Sequence, residues 1–118
     1  MEKYYFTDDL IELILNGKKT VTCAFASVLT AEKKEAFLNS VGKDVEVYNM
    51  KNQYVITIHI DEIVKFTIGN VPEQIAFCEG FQSVEDWQQD CVIFWNEIGK
   101  TGYPPETEVM IAQKFHLK

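Results

Sequence analysis

One stretch of alternating residues constrains the fold of this chain more than any other. Within Tyr54–Phe66, the side chains of Ile56, Ile58 and Ile60 share one face of an extended chain, and polar residues such as His59 share the other. Alternation with a period of two is typical of a β-strand with one buried face. The stretch therefore predicts one long strand.

The rest of the chain predicts three further strands and four helices. The helices are expected from the cap Thr7 to the stop at Gly17, over Thr30–Leu38, from Pro72 to Glu79, and from the cap Ser83 to Gly99. The other strands are expected over Thr20–Phe25, Asp44–Met50 and Glu108–Leu117, with a turn at Lys51-Asn52. Strands that pair as hairpins, with the helices set aside, predict an α+β domain with a small, curved, mostly antiparallel sheet. Closing such a sheet into a barrel would remove its exposed edges.

Length and charge limit the kinds of protein to consider. The 118 residues fit a single domain over residues 1–118. With 18 acidic residues against 11 basic ones, the formal net charge is -7, which disfavours non-specific binding to nucleic acid. No apolar stretch reaches the length of a membrane span and the N-terminus lacks a secretory pattern, so a cytoplasmic protein without a membrane partner is expected.

The cysteines and histidines do not predict a cofactor. Cys23, Cys78 and Cys91 are odd in number and lack metal-type spacing, so they are expected to be free thiols. No cluster of Cys, Asp or Glu surrounds His59 or His116. Neither a metal ion nor another cofactor is therefore expected.

The first candidate for chemistry lies in the turn between the first helix and the strand that follows it. There Lys18 and Lys19 are followed by Thr20 and Thr22, whose side chains point to the same side of a strand. A lysine beside a threonine hydroxyl is one way to activate a weak nucleophile. The alternative is that the motif has no catalytic role. The lysines would then complement a helix C-terminus, and the threonines would be present because threonine is common in strands.

The second candidate is Glu79, in the last turn of a predicted helix that ends at Gly80. A carboxylate there is disfavoured by the helix dipole, by roughly 0.3–1 kcal/mol when exposed. We expect a nearby group such as a lysine to offset this, which would suit a general acid or base. The alternative is a solvated glutamate at a helix end.

Together these segments resemble the ASCH domain family. Gly17–Thr22 resembles its Gly-x-Lys-Thr-x-Thr signature, and Ala76–Gly80 resembles its Ala-x-x-Glu-Gly segment. Trp87 and Phe94-Trp95 resemble its aromatic helix, and Val109–Phe115 resembles its final strand. The resemblance implies a PUA-like fold, a small β-barrel with flanking helices, and a cleft for RNA or a nucleotide.

One small branch of this family removes the acetyl group of N4-acetylcytidine, and its three catalytic residues match Lys19, Thr22 and Glu79. The resemblance thus implies an amidohydrolase acting on N4-acetylcytidine or a similar acylated nucleoside. Lys19 would take the proton of Thr22 or activate a water, and Glu79 would protonate the leaving amine. Family members often carry an arginine after the second threonine, where this chain has Cys23-Ala24.

The alternative hypothesis is a module that binds a nucleotide or a short RNA without catalysis. Lys18 and Lys19 would then contact phosphate, and an aromatic side chain such as Tyr48, Phe66 or Trp87 would stack on a base. Under either hypothesis the substrate-binding residues are expected to be Lys18, Thr20, Cys23 and Trp87.

Overall fold

The computed structural model describes residues 1–118 and contains one five-stranded sheet with four α-helices. The strands are β1 (Glu2–Tyr5), β2 (Val21–Phe25), β3 (Asp44–Tyr48), β4 (Tyr54–Thr67) and β5 (Val109–Leu117). The helices are α1 (Asp8–Leu15), α2 (Ala31–Leu38), α3 (Glu73–Cys78) and α4 (Val84–Glu97). No helix is both long enough and apolar enough to cross a lipid bilayer.

The sheet has the strand order β1-β3-β4-β5-β2 and confirms the α+β, PUA-like prediction. Three of the four strand pairings are antiparallel, and β1 pairs with β3 in parallel. β1 and β2 lie at opposite edges of the sheet, which is therefore a curled half-barrel and not a closed barrel. The sequence did not predict β1, because its residues Glu2–Tyr5 are largely exposed and show no alternation of apolar side chains.

The long strand β4 joins the two halves of the sheet. Residues 54–59 pair with β3, whereas residues 58–67 pair with β5. The register shifts between Ile60 and Glu62, so Asp61 forms a bulge, and bulges bend a strand. Ile58 and Ile60 are fully buried, as the alternation predicted.

The helix ends follow the predicted signals with one exception. The hydroxyls of Thr30 and Ser83 accept backbone hydrogen bonds from Lys33 and Asp86, each at 3.1 Å. The side chain of Thr7 makes no capping hydrogen bond, although α1 begins directly after it. The dipole of α1 is instead complemented by the acidic residues of its first turn.

Two large apolar clusters, and a smaller one of Val21, Ile75 and Ala112, hold the helices on the sheet. One lies between α1 and the strands β3, β4 and β5, and comprises Ile11, Ile14, Val45, Val47, Ile58, Ile60 and Phe115. The other packs α3 and α4 against β2 and β5, and comprises Phe25, Ile68, Ala76, Trp87, Cys91, Trp95 and Met110. Burial of these side chains fixes the ends of α1 and α3 beside the start of β2.

Candidate functional site

Lys19 lies where α1 ends and the edge strand β2 begins, and its side chain is only 3% exposed. The backbone N–H groups of Lys18 and Lys19 both donate to the carbonyl of Leu13, which closes the end of α1 and turns the chain. The Lys19 Nζ then donates to the carbonyl oxygen of Val21 at 2.7 Å and to Glu79 Oε2 at 3.4 Å. A lysine almost never becomes this buried unless it is paired.

Glu79 reaches the same place from the end of α3. Its Oε1 accepts a hydrogen bond from the indole Nε1 of Trp87 at 3.2 Å, so both carboxylate oxygens have a donor. Gly80 ends the helix with a φ of +98°, a conformation that favours glycine. The pairing with Lys19 and Trp87 offsets the unfavourable helix dipole at Glu79, as the sequence predicted.

A backbone hydrogen bond joins the Gly17–Thr22 segment to the Ala76–Gly80 segment. The N–H of Thr20 donates to the carbonyl of Cys78 at 2.7 Å, which joins the start of β2 to the last turn of α3. The N–H of Phe115 donates to the carbonyl of Thr20 at 2.9 Å and anchors the same residue to β5. These backbone contacts hold the segments that carry Lys19 and Glu79 beside each other.

Two thiols lie near the Glu79 carboxylate. Burial and the charge of Glu79 raise the pKa of the Cys23 thiol well above its usual value. Burial and the charges of Glu79 and Asp90 raise the pKa of Cys91 to about 12. The thiolate is the nucleophilic form of cysteine, so neither thiol is suited to nucleophilic catalysis near neutral pH.

Glu79 opens onto a cavity of about 410 Å³ between α1 and α4, here called the acidic cavity. Four carboxylates line it, namely Asp9, Glu79, Asp90 and Glu97, and its apolar walls are Leu10, Leu13, Phe81, Ile93 and Phe94. Neither a lysine nor an arginine is part of the lining. Burial and the charges of Glu79 and Glu97 raise the pKa of Asp90.

Asp90 is the residue of this cavity that sequence reasoning missed. It lies three positions after Trp87, so both project from neighbouring points of α4. The sequence places Asp90 beside the apolar stripe of α4. From the helical pattern alone, an acidic side chain at this position is expected to belong to the solvated face of the helix. The tertiary structure places Asp90, which remains exposed, beside the same cavity as Glu79.

Thr22 faces a different surface. It makes no side-chain hydrogen bond with Lys19 or Glu79, and it lines a groove of about 1390 Å³ between β1, α2 and β2. We call this the seam groove. Its lining includes three lysines and four aromatic residues, namely Lys3, Lys33, Lys43, Tyr4, Tyr5, Phe6 and Phe37.

A chain of hydrogen bonds runs beside Thr22 in the seam groove. The Tyr4 hydroxyl donates to Gln113 Oε1 at 2.9 Å, and Gln113 Nε2 donates to Ser40 Oγ at 2.8 Å. Thr22 is the cross-strand partner of Gln113, whose side chain is fully buried. Burial raises the pKa of Tyr4 despite its hydrogen bond to Gln113. Tyr4 and Gln113 are 109 residues apart, so no sequence pattern linked them.

The structure therefore brings together some of the predicted site residues and separates others. Lys19, Glu79, Trp87 and Cys23 form one cluster. Trp87 is only 2% exposed and holds Glu79, so it offers no free face on which a base could stack. Lys18 is exposed and Thr20 is half-buried at the start of β2. Thr22 lines the seam groove together with Phe6, whose ring centroid lies 6.0 Å from the Lys19 Nζ, so Lys19 lies between this groove and Glu79.

His59 and His116 are cross-strand partners on the neighbouring strands β4 and β5. His59 contacts Asp44 and His116 contacts Asp61, each through Nδ1 at 2.8 Å. The structure contains no group of three or more His, Cys, Asp or Glu residues that could hold a metal ion.

Comparison with known proteins identifies the family and the fold of this chain. The ASCH domain family model matches residues 2–117. No match was found among curated proteins. A protein from Enterococcus faecalis V583 superposes with a TM-score of 0.82 at 20% identity, over 100% of this chain and 76% of that one. The ASCH domain from Lactobacillus crispatus gives 0.76 at 23% identity, over 98% and 78% of the two chains. The ASCH protein from Zymomonas mobilis gives 0.60 at 15%, over 97% and 65%. At these identities the similarity extends to the fold alone.

Proposed function

Because this chain belongs to the ASCH domain family, we propose that it hydrolyses the amide of a small acylated nucleoside such as N4-acetylcytidine. The observation that carries the proposal is the Glu79 carboxylate, held by Lys19 and Trp87 at the wall of a cavity of about 410 Å³. The cavity is open to solvent, with Ile93 and Phe94 exposed, and its volume is within the range of small-molecule sites. Glu79 is the member of the pair that lines it, since Lys19 does not.

The reaction needs a base for water and an acid for the leaving amine. Glu79 takes a proton from a water molecule, and the resulting hydroxide forms a bond to the amide carbon. Collapse of this tetrahedral intermediate breaks the C–N bond, and the protonated Glu79 returns its proton to the leaving nitrogen. For N4-acetylcytidine the products are acetate and cytidine.

Lys19 and Trp87 act in this scheme as positioning residues. Lys19 Nζ is already committed to the Val21 carbonyl and to Glu79 Oε2, while the Trp87 indole holds the second carboxylate oxygen. Donors on both oxygens fix the carboxylate plane relative to the cavity. Fixed orientation of a catalytic group is one of the main sources of rate enhancement in enzymes.

Water is favoured as the nucleophile by the placement of Thr22. The sequence-based scheme has Lys19 deprotonating Thr22, which requires a hydrogen bond that these side chains do not make. Thr22 lines the seam groove, whereas Glu79 lines the acidic cavity. We retain the Thr22 scheme as the alternative that its substitution tests.

The test is an assay of N4-acetylcytidine hydrolysis that measures released cytidine. We expect turnover by the wild type, and Glu79→Gln to lower it by at least roughly 100-fold, the usual contribution of a general base. The matched control is Glu73→Gln, an exposed carboxylate on the same helix, which should retain wild-type turnover. Absence of turnover by the wild type, or an active Glu79→Gln, would overturn the assignment.

A second candidate function rests on the seam groove. Its three lysines and four aromatic side chains are the combination that binds the backbone and bases of single-stranded RNA. This candidate is tested by binding of a short oligouridine to Lys33→Glu, with the adjacent exposed Lys34→Glu as the control. We expect binding to weaken only for Lys33→Glu and to weaken further with added salt. No binding by the wild type at low salt would reject it.

A further inference from the structure

Three tyrosines form a row across the neighbouring strands β1, β3 and β4, here called the tyrosine row. Tyr5 is the register partner of Tyr48, and Tyr48 is the register partner of Tyr54. Their ring centroids are 5.7 and 5.9 Å apart, with interplanar angles of 37° and 75°. Tyr5 and Tyr54 are 48% and 54% exposed, so solvent reaches the row. Because the rings are inclined to one another, they form walls and not a flat platform.

The hydroxyl groups of the tyrosine row are already used within the chain. Each makes a side-chain hydrogen bond of 2.8 to 3.3 Å, and the partners of Tyr5, Tyr48 and Tyr54 are Asn52, Glu46 and Thr57 respectively. What the row offers to a ligand is therefore mainly the faces of its rings. The face of an aromatic ring carries negative charge density and attracts cations.

One cation of the chain itself lies at these rings. The Lys3 Nζ is 5.0 Å from the centroid of the Tyr48 ring. Lys3 is the cross-strand partner of Glu46, yet these two residues form no ion pair. The ammonium group thus lies over an aromatic face although a carboxylate is its register partner. This contact marks the face of Tyr48 as a position that a cation occupies favourably.

We propose that the tyrosine row binds the quaternary ammonium group of a small organic cation such as choline, and that the Lys3 ammonium is its internal competitor. A quaternary ammonium has no N–H group, so it needs no free hydroxyl or carboxylate oxygen and is recognised by ring faces. A primary ammonium is strongly hydrated and loses more on leaving water. The Glu46 carboxylate beside Tyr48 and the net charge of -7 both attract cations to this surface. Binding here does not depend on hydrolysis of N4-acetylcytidine.

The experiment is an NMR titration of the full chain with tetramethylammonium chloride, and with potassium chloride at the same ionic strength as the control. We expect tetramethylammonium to shift the amide resonances of β1 and β3 with a dissociation constant of roughly 1–10 mM, as for an exposed cation–π site. Potassium should not reproduce these shifts, because it gains less from the ring faces than it loses in hydration. Equal responses to the two salts would overturn the proposed site.

Substitutions of Tyr48 separate ligand binding from the stabilisation that cross-strand aromatic pairs give a sheet. Tyr48→Leu should weaken tetramethylammonium binding by about three- to fivefold, whereas Tyr48→Phe keeps the ring face and should stay within about twofold of the wild type. The control Tyr103→Leu removes a tyrosine that is 82% exposed and lies outside the row, and it should leave the affinity unchanged. Wild-type affinity in a folded Tyr48→Leu, or loss of binding in a folded Tyr48→Phe, would contradict recognition by the ring.

Lys3→Met tests the competition directly. Removing the internal ammonium should tighten tetramethylammonium binding by about twofold or more. Lys34→Met removes the same charge from an exposed position on α2 and should have a smaller effect. Equal affinities of these two variants would reject Lys3 as a competitor at the row.

A final titration identifies the source of the ammonium group. Choline should bind as tightly as tetramethylammonium, within about twofold. A peptide carrying trimethyllysine that binds more than about tenfold more tightly than choline would show that the row docks a modified protein, and would overturn the small-molecule assignment.

Discussion

Two concave surfaces with different physical properties lie near the edge strand β2. On one side, the cluster around Cys23, Lys19 and Glu79 adjoins a cavity of about 410 Å³ whose ionisable lining is entirely acidic. On the other side, Thr22 lines a groove of about 1390 Å³ that carries both lysines and carboxylates. Consecutive residues of a strand point to opposite faces, so Thr22 faces the groove while Cys23 faces Glu79, which lines the cavity.

Substitutions at the two surfaces should have different effects on stability. Beside the acidic cavity, the buried Lys19 and the half-buried Glu79 form an ion pair. Removing one partner of a buried pair leaves an uncompensated charge, which is costly. The lysines of the seam groove are exposed and already solvated, so their loss should affect ligands far more than stability.

The largest effect is expected for Lys19→Met. This substitution keeps most of the side-chain volume but leaves Glu79 without its cation, so we expect a loss of about 3 kcal/mol in the free energy of unfolding. Lys3→Met, in the seam groove, should change it by less than about 0.5 kcal/mol. Urea denaturation measures the free energy of unfolding of both variants. An equal decrease in the two variants would contradict the expected difference between the two surfaces.

A smaller effect is expected for Trp87→Phe, which removes the indole donor to Glu79 and keeps an aromatic ring in the core. The lost hydrogen bond to a charged acceptor should cost about 2 kcal/mol in the free energy of unfolding, and turnover should fall as Glu79 loses its orientation. Trp95→Phe is the control, because Trp95 is buried but makes no side-chain hydrogen bond. Similar turnover in the two variants would argue against positioning by Trp87.

The next prediction concerns Thr22→Val, which is nearly isosteric and removes the hydroxyl from the seam groove. Because Thr22 makes no side-chain hydrogen bond, the free energy of unfolding should change by less than about 0.5 kcal/mol. If water is the nucleophile, N4-acetylcytidine turnover should stay within about threefold of the wild type. Loss of turnover would instead identify Thr22 as the nucleophile and join the two surfaces into one site.

The smallest effect is a pH dependence at the edge of the seam groove. Hydrogen bonds from Lys118 and His59 lower the pKa of the Asp44 carboxyl, which lines this groove. Its contribution to stability is therefore complete above the unfolded pKa of about 4 and is lost as the pH falls through the lower folded pKa. Thermal melts of the wild type and Asp44→Asn should differ at pH 7 and converge in acid. A difference that grows in acid would contradict this sign.

The elements that the sequence predicted correctly are those with a strong local signal. The alternation in β4, the caps at Thr30 and Ser83, and the stop at Gly80 were each confirmed within a residue or two. β1 was missed because its stability comes from pairing with β3, which lies some forty positions further along the chain. The closed barrel was not found because β1 and β2 remain at opposite edges of the sheet.

The family, the order of most elements and the candidates Lys19, Thr22 and Glu79 could all be predicted from the sequence. These depend on short motifs and local periodicity, which are written in neighbouring residues. The tertiary structure alone decided that Lys19 and Glu79 meet while Thr22 faces the seam groove, and that Asp90 joins Glu79 in one cavity. Such placements follow from how α1, α3 and α4 pack on the curved sheet, and packing is set by contacts between residues far apart in the chain.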